Sequence, residues 1–155
     1  MGFLCGKTSL LGLDLNEKRL YHILRAYSQK GVVARMLKFI CYPKCTTCQK
    51  AKKWLDEQGI SYELRDIKTE NPTVEELTQW HGESGLPLKK FFNTSGLLYK
   101  SLELKNRLPA MTEAEMLTLL ASDGMLVKRP LLIGEGLIMV GFKESEWATV
   151  AEQQP

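Results

Sequence analysis

The sequence predicts an α/β fold: a βαβ unit from Met36 onward, helices through the middle, and a closing ββα segment. The apolar run Leu37–Cys41 and the Ile-, Tyr- and Leu-rich stretch Ile60–Ile67 flank a helix-spaced stripe of Cys48, Ala51, Trp54 and Leu55. Thr-x-x-Glu capping boxes mark helix starts in the middle region. Near the end, Gly134-Glu135-Gly136 separates two apolar runs of strand length.

In chain order, the first strand spans Leu37–Cys41 and is broken by Tyr42-Pro43. Thr46–Gln58 follows as a helix, with Gly59 as its stop. Ile60–Ile67 supplies a second strand, and a strand–helix–strand unit of this length places its strands parallel, with a right-handed crossover. Thr73 and Glu76 form the first capping box, each satisfying a first-turn amide. Pro87–Phe92 suggests a short helix, and Asn93–Gly96 a turn. Thr112 and Glu115 form the second box, with Met111 placed to staple onto Met116. That helix runs to about Ser122 and stops at Asp123-Gly124. Leu131–Ile133 and Leu137–Val140 then pair as an antiparallel hairpin, and Ser145–Ala151 closes the chain as a helix carrying Trp147.

A chain of 155 residues suits one compact domain, assigned to 36–155. Residues 1–35 form an N-terminal extension without the basic-then-apolar layout of a signal peptide. Within it, 14–27 can form a short helix with Leu20, Ile23, Leu24 and Tyr27 on one face. Met36 is read as a natural start or a domain boundary; the alternative is a real N-terminal helix packed on the domain. Hydrophobic residues at 44% and charged residues at 25% suit a globular protein with a buried core. A net charge of +3 is too mild for a nucleic-acid footprint, so no direct nucleic-acid partner is expected. No apolar run reaches bilayer-spanning length, and no membrane contact is expected.

Cys41, Cys45 and Cys48 lie close together, with Cys5 far from them. A disulfide-stapled secreted domain would spread its cysteines along the chain, so the cluster points to redox or metal chemistry in a reducing compartment, the cytoplasm. Cys45-Thr46-Thr47-Cys48 lies between a first strand and a helix, where a thioredoxin-like redox motif belongs. A sulfur at a helix start meets unpaired amides and the positive end of the helix dipole, which favour its thiolate. Cys45 is therefore the candidate nucleophile and Cys48, one turn on, the resolving thiol; together they would form the redox-active disulfide. Lys44 and Lys50 add positive charge nearby. Zinc on Cys41, Cys45 and Cys48 with His22 or His81 is the alternative, but structural zinc sites usually draw on two separated ligand pairs, and no metal is assigned. Cys41 is read as a small buried hydrophobe. Pro130 stands just before a strand, where thioredoxin-like folds carry a cis-proline facing the redox cysteines. Arg129 before it is the third candidate catalytic residue, able to steady a thiolate or hold an oxyanion. Thr46, Thr47 and Pro130 are assigned to binding. His22, His81 and the Lys50, Lys52 and Lys53 face carry no further chemistry, and Phe142 is read as a core or lid residue.

Residues 36–155 resemble the arsenate reductase (ArsC)/Spx/MgsR family. The residues that carry this are the strand followed by Cys45-Thr46-Thr47-Cys48, the run from Asp123 to Pro130, and Gly141-Phe142-Lys143. The resemblance implies a thioredoxin-like mixed four-stranded sheet with flanking helices and a helical insertion. It also implies a cysteine nucleophile, matched by Cys45, and three oxyanion-binding arginines, of which Arg129 matches one. Asn93 stands about where a second is expected and Phe142 where the third is, with Lys143 adjacent, a departure that weakens arsenate binding. The expected function is a thiol–disulfide oxidoreductase without a bound cofactor, reduced by glutathione, a glutaredoxin or a thioredoxin. The alternative, implied by the Spx branch, is a redox-switched regulator that binds the C-terminal domain of the RNA polymerase α subunit.

Overall fold

A computed structural model describes residues 36–152, and the expectations placed on 1–35 lie outside them. The strands are β1 (Leu37–Cys41), β2 (Tyr62–Asp66), β3 (Leu131–Gly134) and β4 (Leu137–Val140), in the sheet order β2-β1-β3-β4. β1 and β2 run parallel; the other neighbours are antiparallel. The helices are α1 (Thr46–Glu57), α2 (Val74–Ser84), α3 (Leu97–Ser101), α4 (Leu104–Arg107), α5 (Glu113–Ser122) and α6 (Glu144–Glu152). This is the mixed four-stranded fold that the sequence predicts. None of the described helices is long and apolar enough to cross a membrane.

Alternation along β1 decides what each face of the sheet meets. Leu37, Phe39 and Cys41 share a buried cluster with Cys48, Ala51, Trp54 and Leu55 of α1 and with Trp147 and Val150 of α6. Ile40 joins the opposite cluster, built on Leu77 and Trp80 of α2 and on Met116, Leu117 and Leu120 of α5. Both capping boxes form as expected, at Thr73–Glu76 and Thr112–Glu115. Met111 and Met116 enter one cluster.

Some elements differ from expectation. Pro87–Phe92 is a 3-10 turn over Leu88–Phe91, and the second strand shortens to Tyr62–Asp66, with Ile60 and Ile67 buried beside it. α3 and α4 were not expected at all. Helices of five and four residues are unstable alone and carry little periodic signal. What holds them is tertiary: Leu104 is fully buried, and Glu103 between them takes a left-handed conformation at φ 52°.

Candidate functional site

Between β1 and α1 the chain turns through Tyr42-Pro43-Lys44. The Cys45 amide donates to the Tyr42 carbonyl at 2.9 Å, and the Cys45 carbonyl accepts from Gln49 at 3.0 Å, which starts α1. Cys45 is thus the N-cap, with extended backbone, half-buried, and no acidic residue sits in the first turn. The first-turn amides have no intrahelical partner, so the helix presents its positive end here. One expected detail differs: the Cys45 side chain makes no capping hydrogen bond. The amide that reaches a sulfur belongs to Tyr42, which donates to Cys48 Sγ at 3.4 Å. Cys48 takes that donor because helical side chains lean back toward the N-terminus, toward the end of β1.

All three cysteines are free thiols. Cys48 is 2% exposed and packs in one cluster with Cys41 and Cys45, and its thiol interacts with that of Cys41. The interaction with Cys41, and then burial, push the Cys48 thiol far above the usual range. The same interaction draws Cys41 down, so of this pair Cys48 is the proton holder. Cys41 is buried as expected, and it packs in one cluster with Cys48, a closeness that the sequence reading did not draw. The available signal was period two: counting from Leu37, Cys41 falls on the α1 side of β1.

The Arg129–Pro130 bond is cis. Arg129 lines the same cleft as Cys45 and Thr47. Its guanidinium lies 5.5 Å over the Tyr42 ring, and its Nη1 donates to the Met125 carbonyl at 3.3 Å. Its buried Nε–H remains an unused donor. Thr46 opens α1 and is exposed, whereas Pro130 is buried.

The cleft encloses about 1030 Å³. Lys89, Lys90, Lys128, Lys143 and Arg129 line it against Asp123 and Glu146. Asn93 is 9% exposed and serves the wall rather than the opening. Its Nδ2 donates to the Met125 carbonyl at 3.4 Å, and its backbone amide donates to Leu126 at 2.7 Å. The Met125 carbonyl therefore ties both Asn93 and Arg129, a junction that sequence reasoning missed because it depends on the chain returning from residue 93 to 125. Phe142 packs edge-on against Trp147, ring centroids 4.9 Å apart, and also lines the cleft. Lys143 is exposed and pairs with Glu146 at 2.8 Å. His81 meets the edge of Phe91, apart from the cysteines. Among the described residues, no group of three His, Cys, Asp or Glu side chains is placed to hold a metal ion; His22 lies outside them. Lys52 and Lys53 pair with Asp56 and Glu57 on the wet face of α1.

The model of the ArsC family matches residues 41–150. The uncharacterised protein YusI of Bacillus subtilis is 53% identical, over 72% of this chain and 94% of its own. The regulatory protein MgsR of the same organism is 29% identical, over 77% and 94%. The crystal structure of an ArsC family related protein from Bacteroides fragilis superposes with a TM-score of 0.72 at 57% identity, covering 74% of this chain and 96% of that one.

Proposed function

The chain belongs to the ArsC family, and on that premise we propose that it is a thiol–disulfide oxidoreductase with Cys45 as nucleophile and Cys48 as resolving thiol. One observation carries the reading: the half-buried Cys45 caps α1 at the edge of an open cleft, with the buried Cys48 one turn along and packed in the same cluster. Cys45, at the N-cap of α1 and open to the cleft, attacks a disulfide sulfur as its thiolate and expels one substrate thiol. Cys48 then attacks Cys45 in the mixed disulfide and releases the second, leaving Cys45–Cys48 oxidised. A cytoplasmic glutaredoxin, thioredoxin or glutathione returns the dithiol. Arg129, which lines the cleft, brings its positive charge to the departing group or to a bound anion. Arsenate is disfavoured, since Asn93 and Phe142 bring no charge where the family places arginines.

Cys45→Ser and Cys48→Ser separate the two steps. The first abolishes turnover of a model disulfide; the second accumulates a mixed disulfide on Cys45, visible as an adduct in intact-mass spectrometry. Undiminished reductase activity in Cys45→Ser sinks the assignment. The kinship with MgsR favours one further reading, a redox-switched transcription regulator. That reading expects a complex with the RNA polymerase α C-terminal domain whose affinity differs between dithiol and disulfide forms; pull-downs in both states with no binding remove it.

A further inference from the structure

Among the described residues, Cys41 is the one thiol that the proposed reaction leaves unused. Its placement follows from the fold. Alternation along β1 turns Cys41 toward α1, and the apolar stripe of α1 begins with Cys48, so the two side chains meet in one buried cluster. The Tyr42 amide, next in the chain after Cys41, donates to Cys48 Sγ at 3.4 Å and holds that sulfur against the end of the strand. Cys48 thus shares its cluster with two other thiols: Cys45, which also lines the cleft, and Cys41, which is buried with it.

We propose that Cys41 is a third redox thiol, which displaces Cys45 from the Cys45–Cys48 disulfide and leaves a buried Cys41–Cys48 disulfide beside a free Cys45. This rests on the reading of Cys45 and Cys48 as a redox pair. The step is a thiol–disulfide exchange. Cys41 attacks Cys48 Sγ, the Cys41–Cys48 bond forms, the Cys45–Cys48 bond breaks, and Cys45 leaves with the electron pair. The number of disulfides and of protons is unchanged; the two electrons were already passed to the substrate disulfide when Cys45–Cys48 closed. Cys45 is the leaving group that lines the open cleft, where solvent can take it up. With Cys41 5% and Cys48 2% exposed, the resulting disulfide is shielded from bulky reductants. The oxidised protein keeps its nucleophile but has no resolving thiol: when Cys45 attacks an incoming disulfide and expels one of its thiols, the other half stays on Cys45 as a lasting mixed disulfide, and the protein acts as a sensor of oxidised thiols.

Tryptic mapping decides this, because cleavage after Lys38, Lys44 and Lys50 puts Cys41 in one peptide and both Cys45 and Cys48 in the next. Cys5 falls in a separate peptide, residues 1–7. The full chain is oxidised with glutathione disulfide, its free thiols are blocked by N-ethylmaleimide in denaturant, and the digest is read by tandem mass spectrometry. The expected product joins the two peptides through Cys41–Cys48, with Cys45 alkylated or glutathionylated. The joined pair also forms in Cys45→Ala treated with diamide and is lost in Cys41→Ser. A Cys45–Cys48 loop closed within one peptide, with Cys41 alkylated at every time point, overturns the proposal and leaves the oxidoreductase reading intact. Cys41, Cys45 and Cys48 all alkylated, with no disulfide at all, overturns both.

Discussion

Cys48 carries the slow proton of the site. Its thiol is pushed far up by the interaction with Cys41 and by burial, so near neutral pH only a small fraction is thiolate. Attack on a mixed disulfide requires that thiolate. The resolution step should therefore accelerate by roughly tenfold per pH unit from neutrality into the alkaline range, well past the point where an ordinary thiol levels off. Stopped-flow decay of a preformed Cys45 adduct measures it; a rate flat above pH 8.5 contradicts the protonated resting state. Arg129 invites a second measurement. Its Nη1 is held by the Met125 carbonyl and its plane by the Tyr42 ring, which a lysine cannot reproduce together. Arg129→Lys should lower kcat/KM for an anionic disulfide about tenfold while leaving the alkylation rate of Cys45 near wild type; equal loss in both would mean that Arg129 only maintains the fold. At this scale the sequence placed Cys45, Cys48 and the cis-proline, because spacing and strand–helix order encode them. The Met125 junction escaped it, since a main-chain carbonyl has no side-chain signature.

The elements are pinned by a few polar contacts at their ends. Arg65 of β2 binds both carboxylate oxygens of Glu76 in α2, at 2.7 and 2.9 Å, and donates to the carbonyls of Glu70 and Asn71. Glu76 also closes the capping box by accepting from Thr73 N–H. These contacts, Arg65 first, hold the Glu76 carboxyl below its ordinary value of 4.5. A carboxylate with a depressed folded pKa stabilises the fold above its unfolded pKa, and that contribution is lost as pH falls through the folded one. Glu76→Gln should cost about 1–2 kcal/mol in urea denaturation at pH 7. Below 4.5 the gap should close progressively; a gap that persists at pH 2 would mean that packing rather than charge is responsible. Gly124 is a second pin: a Cβ there would overlap the Ile67 carbonyl, so Gly124→Ala has to displace the turn that leads to Met125 and Arg129. An apparent loss of about 2 kcal/mol or more is expected. The long elements were legible because each carries a stripe or a cap, as in α1, α2 and α5. α3 and α4 were not, because burial of Leu104 and neighbouring contacts, rather than local sequence, make them helical.

Across the whole molecule, charge is distributed so that substrate choice becomes testable. The net charge of +3 is slight, but the cleft beside Cys45 gathers Lys89, Lys90, Lys128, Lys143 and Arg129 against only Asp123 and Glu146. Lys143 is largely neutralised by Glu146, which leaves Lys89 and Lys90, both exposed, as the outward-facing positive charges. A cleft lined by one sign of charge concentrates counter-charged solutes and raises their encounter rate. Glutathione disulfide, with its four carboxylates, should therefore react with Cys45 about tenfold faster than the cationic disulfide cystamine at low ionic strength. Raising salt to 1 M shortens the screening length to about 3 Å and should bring the two rates together. Replacing Lys89 and Lys90 with Gln should remove most of the difference without slowing the reaction with cystamine, because neither lysine contacts the three sulfurs. Should the two disulfides react equally at low salt, the lysines form a solvated rim and specificity comes instead from the Leu97, Phe92 and Phe142 surfaces of the same cleft.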